Sequence, residues 1–354
     1  MKKVYINGMG CISAQPTFDS VFLETAVVNT TDNVLSVVAP PYKDFIPPAA
    51  SRRMGKGVKN GIVAAALALK EAGDPALDAI ITGTGMGCIE DSEKFLRGIL
   101  DNQEEFLTPT SFIQSTHNTV GGQIALGLQC KAYNFTYVNG GNSFESGLLD
   151  GSMQLTSGEA NTVLTGGIDE SAAFTIDFFK VAGLIKKAEE QPFVLLGATT
   201  TGSVFGEGAT FFVLENEKKT SSYAELVAVN ICNNLSVSEA AQEVVAFIQK
   251  NNYTVSDIDA VVLGYSGDVV FDEYYKAISS GLFKEIPQIY YKHLSGEYHT
   301  ASAFGLWMAA KILKTQEFPE MVCANTPRRK QYKTILLYNQ FRGEDHSFIL
   351  LRQC

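Results

Sequence analysis

The sequence predicts an α/β protein built from two similar halves, and three observations support this fold class. Strands rich in aromatic and β-branched residues alternate with helices along the 354 residues. Residues 131–170 have the pattern of a strand, a tight glycine turn, a buried helix and a second strand. Residues 257–264 repeat the pattern of residues 76–83 almost position for position, and a helix precedes the strand in both copies. We therefore expect one compact pseudo-twofold body with halves at residues 1–217 and 218–354.

The first half is predicted to begin with a short strand at residues 3–6, which ends in Asn7-Gly8-Met9-Gly10. A loop-rich stretch follows to about residue 48 and contains two Pro-Pro pairs. The elements predicted after it are a helix at 58–72, a strand at 78–83 that runs into a glycine turn, a helix at 121–128 and, beyond the central helix, a strand at 162–167.

The centre of the first half is a predicted strand at residues 133–138, followed by Asn139-Gly140-Gly141, a turn that needs residues tolerant of positive φ. Asn142 and Glu145 form a capping-box pattern that opens a helix ending near Ser157. Many enzymes hold a nucleophile in such a turn, because the turn exposes the side chain and the positive end of the helix lowers its pKa. Here the turn offers two glycines, and neither has a side chain that could react.

The second half repeats this plan from about residue 223. Its predicted elements are a strand at 223–230, a helix at 239–251, strands at 257–264 and 289–292, a helix at 299–314 and two final strands at 334–338 and 347–351. Apolar residues recur at helical spacing in both of these helices, so each is expected to bury one face against the sheet.

The composition excludes several classes of function. The net charge of −10 comes from 28 basic and 38 acidic residues, and such a surface repels nucleic acid. The longest apolar run, residues 62–69, is too short to span a bilayer, and the start lacks the apolar core of a secretory signal. The six cysteines are scattered, without a Cys-x-x-Cys pair or a histidine at ligand spacing. We expect a cytoplasmic protein without a membrane, nucleic-acid, metal or cofactor partner.

Two basic clusters stand out on this acidic chain. The first contains Arg52, Arg53, Lys56 and Lys59, and the second contains Arg328, Arg329, Lys330 and Lys333. Solvated surface charge is the simpler interpretation of both clusters. The alternative is a docking patch for an acidic carrier protein.

The chain resembles the β-ketoacyl synthases of the thiolase-like superfamily over nearly its whole length. The motifs that carry the resemblance are Asn7-Gly8-Met9-Gly10, Arg52-Arg53-Met54, Gly83-Thr84-Gly85-Met86-Gly87, Gly158-Glu159-Ala160-Asn161 and Gly206-Glu207-Gly208-Ala209. The resemblance implies a thiolase-like duplicated fold, a five-layered α/β/α/β/α sandwich. It also implies condensing chemistry, in which a cysteine takes the acyl chain, two histidines support decarboxylation and stabilise the enolate, and a lysine orders one of them.

Three of these four catalytic positions carry another residue in this chain. Counting back from Gly158 without a gap places the family's cysteine at Gly141, and the two histidines correspond to Ser266 and Glu297. Lys292 matches the family's lysine. Glycine cannot form a thioester, serine cannot replace an imidazole in stabilising an enolate, and glutamate adds negative charge where negative charge would develop. A standard condensation is therefore not expected.

Other residues could take over part of the chemistry. Ser143, near the helix start, is a conceivable nucleophile, although a serine that bonds locally is the simpler interpretation because no base is evident. Glu297 with His293 and His299 resembles a metal-binding cluster on paper. We expect these three residues to lie on different elements, at a strand end and a helix start, and therefore predict no metal site.

The family's flexible glycine-rich gate becomes Asn339-Gln340-Phe341-Arg342-Gly343-Glu344-Asp345. Phe341 matches the first aromatic residue of the gate, but the glycine-rich portion is shortened and charged. A loop that must swing to admit substrate uses those glycines, so gating in the family's manner is not expected. Phe205 and Phe341 are predicted to contact a bound substrate.

The resemblance implies a catalytically degenerate protein similar to the chain-length factors of type II polyketide and aryl-polyene systems. Such subunits keep the fold, lose the cysteine and pair with an active ketosynthase to shape its acyl tunnel in fatty acid, polyketide or aryl-polyene biosynthesis. The expected partners are an active ketosynthase in a heterodimer, or a second copy of this chain, with an acyl carrier protein as a further candidate. In this family the strand matching residues 133–138 lies at the dimer interface. The strand lacks the lysines and prolines that protect an exposed edge, so we expect another subunit to bury it.

Two alternatives stay open at this point. One is a ketosynthase-like acyltransferase or decarboxylase that acts on acyl carrier protein thioesters with a nucleophile other than cysteine, such as Ser143. The other is a homodimeric scaffold whose pocket binds an acyl group or a small molecule.

Overall fold

The structure is a computed structural model that describes residues 2–18, 24–105, 107 and 109–354. Its helices are α1 (Pro48–Ser51), α2 (Lys56–Ala72), α3 (Ile89–Asp101), α4 (Pro109–Gln114), α5 (Thr119–Leu128), α6 (Ser143–Ser157), α7 (Ala173–Val181), α8 (Val237–Lys250), α9 (Glu273–Ser280), α10 (Lys292–Ser295) and α11 (Ser302–Thr315). Its strands are β1 (Val4–Ile12), β2 (Val34–Leu35), β3 (Ala79–Gly83), β4 (Tyr133–Tyr137), β5 (Thr162–Asp169), β6 (Phe205–Gly206), β7 (Gly208–Glu215), β8 (Ala224–Asn233), β9 (Ala260–Leu263), β10 (Gln288–Tyr290), β11 (Thr334–Phe341) and β12 (Asp345–Gln353). Residues 19–23 of the predicted loop-rich stretch lie outside the described residues.

In the part of the chain that the structure describes, ten strands form one continuous sheet in the order β10-β9-β11-β12-β8-β1-β7-β5-β3-β4. β3 lies between its parallel neighbours β4 and β5, and β9 lies in the same way between β10 and β11. Each half then continues with two antiparallel pairs, β5-β7-β1 and β11-β12-β8, and the halves meet where β1 pairs with β8. The duplicated fold predicted from the internal repeat is therefore confirmed. The boundary at residues 217 and 218, between β7 and β8, stays a prediction.

The helices form layers on and between the two halves of the sheet. α6 and α11 share one large core with strands of both halves, which includes Phe144, Leu148, Phe304 and Leu306. α2 and α5 cover the outer face of the first half, and α8 and α9 cover that of the second. This arrangement gives the five layers of the predicted sandwich, and burial of their apolar faces stabilises it. Within the described ranges, no helix is long and apolar enough to cross a membrane.

The first strand is longer than predicted, because β1 runs through the glycines that were expected to end it. A Cβ atom on Gly8 would lie 2.1 Å from the carbonyl oxygen of Ala68, and one on Gly10 would lie 2.0 Å from that of Ala64. Only glycine allows α2 to pack this closely on the strand. Asn7-Gly8-Met9-Gly10 is therefore part of the strand and a packing surface for a helix, and the prediction that the strand ends there was wrong.

The predicted capping box at the start of α6 was also wrong. Asn142 occupies the N-cap position, but its side chain makes no capping hydrogen bond. Glu145 is fully buried, and its Oε1 accepts a hydrogen bond from Ser347 Oγ at 2.8 Å. Burial raises the pKa of Glu145 to about 6. The first turn of this helix faces strand β12 instead of water, so the carboxylate bonds across the core and not back to its own helix.

Two boundaries near the predicted site differ from expectation. The strand predicted at residues 289–292 ends at Tyr290, and Lys292 begins the short helix α10. The helix predicted from His299 begins at Ser302. Thr300 donates hydrogen bonds from both its backbone N and its Oγ1 to Asp169 Oδ2, at 2.9 and 2.8 Å, which holds the segment before the helix in a turn.

The segment predicted to match the family's gate is mostly regular structure. β11 extends to Phe341 and β12 begins at Asp345, so the two strands are joined by a tight turn. Arg342 and Gly343 have φ angles of +54° and +70° in this turn. Pairing along both strands holds Phe341 in place, as expected for a β-hairpin with a short connection.

Candidate functional site

Four of the predicted site residues line one cavity of about 220 Å³, formed by segments of both halves of the chain. They are Phe205, Ser266, Glu297 and Phe341. The other residues that line it are Phe179, Leu184, Ser203, Asp268, Phe271, His299, Gln340 and Arg342. Ser266 follows the carboxyl end of β9 and Phe341 ends the neighbouring strand β11. Adjacent parallel strands end at one edge of a sheet, which is why residues distant in sequence meet there.

Gly141 lies beside this cavity, in the turn between β4 and α6. A Cβ atom on Gly141 would lie 2.3 Å from the Cβ atom of Phe341 and 3.2 Å from Asp345 Oδ2. The backbone N of Gly141 donates a hydrogen bond to Asp345 Oδ2 at 2.7 Å. The turn and the β11–β12 hairpin are thus in direct contact. The space next to the glycine is filled by Phe341, and a side chain at position 141 would displace it.

Lys292 and Glu297 form a buried ion pair. The distance from Lys292 Nζ to Glu297 Oε2 is 2.7 Å, and the lysine side chain is fully buried. Burial raises the pKa of Glu297, while the charge of Lys292 acts in the opposite direction. Because the two opposite charges lie in contact, each reduces the free-energy cost of burying the other.

Ser266 belongs to a loop that a buried carboxylate organises. Its backbone N donates to Asp272 Oδ1 at 2.9 Å, and the N of Gly267 donates to Asp272 Oδ2 at 3.0 Å. Burial raises the pKa of Asp272 to about 6, against the lowering effect of these two hydrogen bonds. The Ser266 hydroxyl also lies 3.4 Å from Asp272 Oδ1. Ser266 thus lies in the cavity wall, held through its backbone N by the carboxylate of Asp272.

Ser143, the alternative nucleophile, forms hydrogen bonds within its own turn. Its Oγ donates to the carbonyl oxygen of Gly140 at 2.7 Å and accepts from the backbone N of Asn139 at 2.8 Å. The residue is fully buried. These contacts are those of a serine that stabilises the turn, and neither partner is a base that could remove its proton.

His299 lines the cavity, and we considered it from the sequence only as a metal ligand. Its ring lies against the ring of Phe341, with the centroids 4.5 Å apart. A Cβ atom on Gly85 would lie 2.2 Å from His299 Cγ, so the glycine motif after β3 makes room for this ring. The sequence offered one signal: His299 lies two residues after Glu297, the spacing that places alternate side chains of an extended segment on the same side.

The histidines and Glu297 are not gathered into a metal site. Across the described residues, no group of three or more His, Cys, Asp or Glu side chains is placed to hold a metal ion. His293 does not line the cavity, and its ring stacks on Tyr290 with the centroids 3.9 Å apart. Burial lowers the pKa of His293 to about 4, which favours a neutral ring packed in the core.

The cysteines show no activated thiol near the cavity. None of the residues that line it is a cysteine. Burial raises the pKa of Cys11 to about 11 and that of Cys88 to about 12. A reactive cysteine needs a lowered pKa, because the thiolate is the nucleophile. The cavity can therefore bind a molecule by shape, aromatic contact and hydrogen bonding, without a thiol to form a covalent intermediate.

The two lysines of the first basic cluster make different contacts. Lys56 Nζ lies 2.7 Å from Glu207 Oε2, so this lysine is neutralised inside the fold. Lys59 lies over the ring of Tyr42, 5.5 Å from its centroid. Both lysines line an open groove together with Lys94 and Arg97.

In the second basic cluster, Arg328 donates to the backbone carbonyls of Asn325 and Pro327, both at 2.8 Å.

Residues 29–174 match a family model described as the N-terminal domain of beta-ketoacyl synthases. Comparison with curated protein sequences found no match. The family match and the fold confirm the resemblance to the β-ketoacyl synthases that was predicted from the sequence motifs.

Solved structures similar to the whole chain include ketosynthases and a ketosynthase/chain length factor. A beta-ketoacyl synthase from Burkholderia phymatum STM815 has a TM-score of 0.83 and 16% identity, with 100% of each chain covered. The ishigamide ketosynthase/chain length factor has a TM-score of 0.81 and 18% identity, covering 100% of this chain and 99% of the other. A ketosynthase in complex with its chain length factor from Xenorhabdus doucetiae has a TM-score of 0.73 and 14% identity, covering 100% and 98%. At sequence identities of 14–18%, this structural likeness shows that the chain shares the fold of these proteins.

Proposed function

We propose that this chain, which has the fold of the β-ketoacyl synthases, is a catalytically degenerate subunit that pairs with an active ketosynthase as a chain-length factor does. The observation that carries the proposal is the contact between Gly141 and Phe341, because it leaves no room for a nucleophilic side chain. The likeness to a ketosynthase/chain length factor supports the same role. The pathway we propose is fatty acid, polyketide or aryl-polyene biosynthesis.

The ion pair supports the loss of condensing activity. In the family's chemistry the matching lysine orders a histidine, whereas here the charge of Lys292 is engaged by the carboxylate of Glu297 at 2.7 Å. A carboxylate in this position would repel the enolate oxygen that forms when a malonyl unit loses carbon dioxide. The position would then destabilise the charge that a condensing site must stabilise.

An unpaired strand edge supports the proposed partner. β4 ends the sheet and pairs with β3 alone in the described part of the chain. Tyr133, Phe135 and Val138 are 44%, 45% and 51% exposed. Exposed strand edges without lysine or proline promote edge-to-edge association. We infer that β4 continues into the sheet of a partner subunit.

Two helices that are adjacent to each other carry further exposed apolar residues. Their exposed large apolar residues are Leu96 and Leu100 on α3, and Phe174, Phe178 and Val181 on α7. The helices are adjacent, because the guanidinium of Arg97 lies 4.0 Å from the centroid of the Phe174 ring. Apolar patches of this kind mark protein interaction surfaces more often than free solvent-facing surface. We infer that the partner also contacts Leu96 and Leu100 on α3 and Phe178 and Val181 on α7, whereas Phe174 and Arg97 line the groove described next.

An acyl carrier protein is the further partner we propose, at the groove between α2 and α3. Lys59 and Arg97 line this groove, and neither forms an ion pair with a carboxylate among the described residues. Glu93 also lines the groove, but because Lys94 is paired with Glu90 and Lys56 with Glu207, the two free cations leave a net positive charge that would attract an acidic carrier. The charge-reversal variants Lys59→Glu and Arg97→Glu should each weaken carrier binding in a salt-dependent way, as measured by surface plasmon resonance, and unchanged affinity would remove the groove from the proposal.

Native mass spectrometry of this chain co-expressed with an intact ketosynthase from the same genome tests the pairing. We expect mainly the heterodimer, at more than the statistical fraction. The variant Phe135→Lys adds a lysine to the β4 edge. A heterodimer interface then contains one added lysine, whereas a homodimer interface contains two, whose like charges repel each other. Any homodimer should therefore dissociate before the heterodimer does. The control variant Val194→Lys changes an apolar residue that is 57% exposed and lies outside this surface. Recovery of only the two homodimers, or of a monomer that Phe135→Lys does not affect, would contradict the proposal.

A further inference from the structure

The cavity contains a buried acceptor that nothing in the described chain satisfies. Glu297 is 8% exposed and lines the cavity. Its Oε2 is bonded to Lys292, but its Oε1 has no hydrogen-bond partner among the described residues. A buried carboxylate oxygen without a donor is unfavourable, so such an atom beside a cavity indicates the position of a donor on a bound molecule.

A second polar atom lies in the same wall. His299 lines the cavity, and its Nδ1 is buried without a hydrogen-bond partner in the described part of the chain. The His299 ring packs against the ring of Phe341 on one side and against Gly85, which has no side chain, on the other. Two residues of the cavity wall, Glu297 and His299 on the segment before α11, thus each carry a buried polar atom without a hydrogen-bond partner among the described residues.

The rest of the cavity is largely aromatic. Phe179 and Phe205 meet edge to face with their centroids 5.3 Å apart, and Phe271 and Phe341 complete the walls. The volume of about 220 Å³ suits a molecule of one ring or a short aliphatic chain. Aromatic walls favour an apolar or aromatic body, and the carboxylate of Glu297 disfavours an anionic head group.

Asp268, the other carboxylate in the lining, is already satisfied. Its Oδ2 accepts from the backbone N of Gly202 at 2.6 Å and its Oδ1 accepts from that of Val270 at 2.9 Å. Gln340 is also engaged, because its Oε1 accepts from the N of Gly343 at 2.7 Å and its Nε2 donates to the carbonyl oxygen of Phe271 at 3.1 Å. Ser203 and Arg342 also line the cavity, and the guanidinium of Arg342 lies 5.3 Å from the centroid of the Phe271 ring. Glu297 and His299 are the lining residues whose buried polar atoms have no hydrogen-bond partner in the described part of the chain.

We propose that this cavity binds a small apolar molecule with one hydrogen-bond donor, an alcohol or a primary amine, which donates to Glu297 Oε1 while its body lies between the phenylalanine rings. This binding activity concerns the cavity of this chain alone and does not depend on the proposed ketosynthase partner. It gives the degenerate site a ligand that is recognised without any covalent step.

Titration of the purified chain with four matched compounds tests the proposal by ligand-observed NMR and calorimetry. Benzyl alcohol and benzylamine carry the donor, toluene has the same ring without it, and benzoate has an anionic acceptor in its place. We expect saturable binding of at least one of the first two compounds, at least tenfold tighter than toluene, and no binding of benzoate. Which of the two binds tells whether the ligand is neutral or cationic. Absence of binding by both, or toluene binding as tightly as they do, would overturn the proposal.

The variant Glu297→Gln should reverse the preference of the cavity from ligands that donate a hydrogen bond to ligands that accept one. Its amide oxygen is needed to accept from Lys292, so the amide nitrogen would replace Oε1 at the cavity and offer a donor. We expect the variant to lose at least tenfold in affinity for the donor compounds and to gain affinity for benzaldehyde, which carries an acceptor. The control variant Glu243→Gln changes a residue of α8 outside the cavity and should leave every affinity unchanged. Equal affinities of Glu297→Gln and the unmodified chain for benzyl alcohol and benzylamine would also overturn the proposal.

Discussion

Phe341 occupies the space that a side chain at position 141 would need, because a Cβ atom on Gly141 would lie 2.3 Å from the Cβ atom of Phe341. The two residues lie at the tips of different structural units, the β4–α6 turn and the β11–β12 hairpin. The hydrogen bond from the N of Gly141 to Asp345 Oδ2, at 2.7 Å, fixes one unit against the other. The turn at Gly141, which we predict to match the family's cysteine position, thus has no room for a side chain while Phe341 keeps its place.

Adding a methyl group at this position should destabilise the protein. We expect Gly141→Ala to lower the free energy of unfolding by about 1–3 kcal/mol, because the extra carbon forces Phe341 to move. Phe341→Gly in the same chain deletes the Cβ atom that Gly141→Ala would meet and should therefore remove most of the effect of Gly141→Ala, a non-additivity expected of residues in contact. Urea unfolding measures these changes.

Gly122 provides the control for that experiment. It lies in α5, and a Cβ atom there would have no atom within 4 Å. Gly122→Ala should therefore raise stability by up to about 1 kcal/mol through helix propensity. If Gly141→Ala were as well tolerated as Gly122→Ala, Phe341 would not be closing the site.

Removing one partner of the buried ion pair should cost more than removing both. Lys292→Met leaves the carboxylate of Glu297 buried without its counter-charge, and we expect a loss of about 3–5 kcal/mol in the free energy of unfolding. The double variant Lys292→Met with Glu297→Leu should recover most of that loss, since no charge then remains buried. Chemical denaturation measures the free energy of unfolding of the single and double variants. A double variant less stable than Lys292→Met would contradict the expected coupling.

Glu170 should give the protein a distinctive dependence on pH. Its Oε2 accepts from the backbone N of Gly57 at 2.5 Å and its Oε1 accepts from that of Glu90 at 3.0 Å, so one carboxylate binds the first turns of α2 and α3. Burial raises the pKa of Glu170 to about 7, although these hydrogen bonds act to lower it. An unfolded glutamate titrates near pH 4.3, so between about pH 4.3 and 7 the folded state holds more protons. The contribution of Glu170 to stability is then complete below about pH 4.3 and is lost as the pH rises through 7.

The variant Glu170→Gln isolates this contribution. Glutamine does not titrate, so the difference in unfolding free energy between the unmodified chain and the variant should shrink as the pH rises from about 4.5 to 7. Comparison with the variant is needed because Glu145 and Asp272, with raised pKa values of about 6, titrate in the same range. A difference that stays constant or grows over this interval would show that the pKa of Glu170 is not raised.

The repeated pattern in the sequence was enough to predict where the main strands lie. The strands predicted at residues 78–83 and 257–264 became β3 and β9, which lie in equivalent places between parallel neighbours. The sequence singled out Ser266 and Glu297 by their resemblance to family motifs, and both line the cavity, while their match to the family's histidines stays a prediction. Their convergence with Phe205 and Phe341 then follows from the fold.

Contacts between distant segments could not be predicted in this way. Glu145 bonds to Ser347 across the core, whereas its spacing from Asn142 suggested a local capping box. The contact of Phe341 with Gly141 depends on how a hairpin at the end of the chain packs on a turn near its middle. Neither residue type nor spacing encodes such packing, because it arises only when both halves are folded together.

Intact-mass analysis after incubation with acyl and malonyl carrier-protein thioesters tests the central claim most directly. We predict that the mass of the chain stays unchanged and that no condensed product forms, because Gly141 offers no sulfur and Ser143 is engaged in its own turn. The variant Gly141→Cys should also form no condensed product, since Ser266 and Glu297 leave an enolate without support. A mass gain of one acyl group on the unmodified chain, abolished by Ser143→Ala, would contradict the account and establish an enzyme with a serine nucleophile.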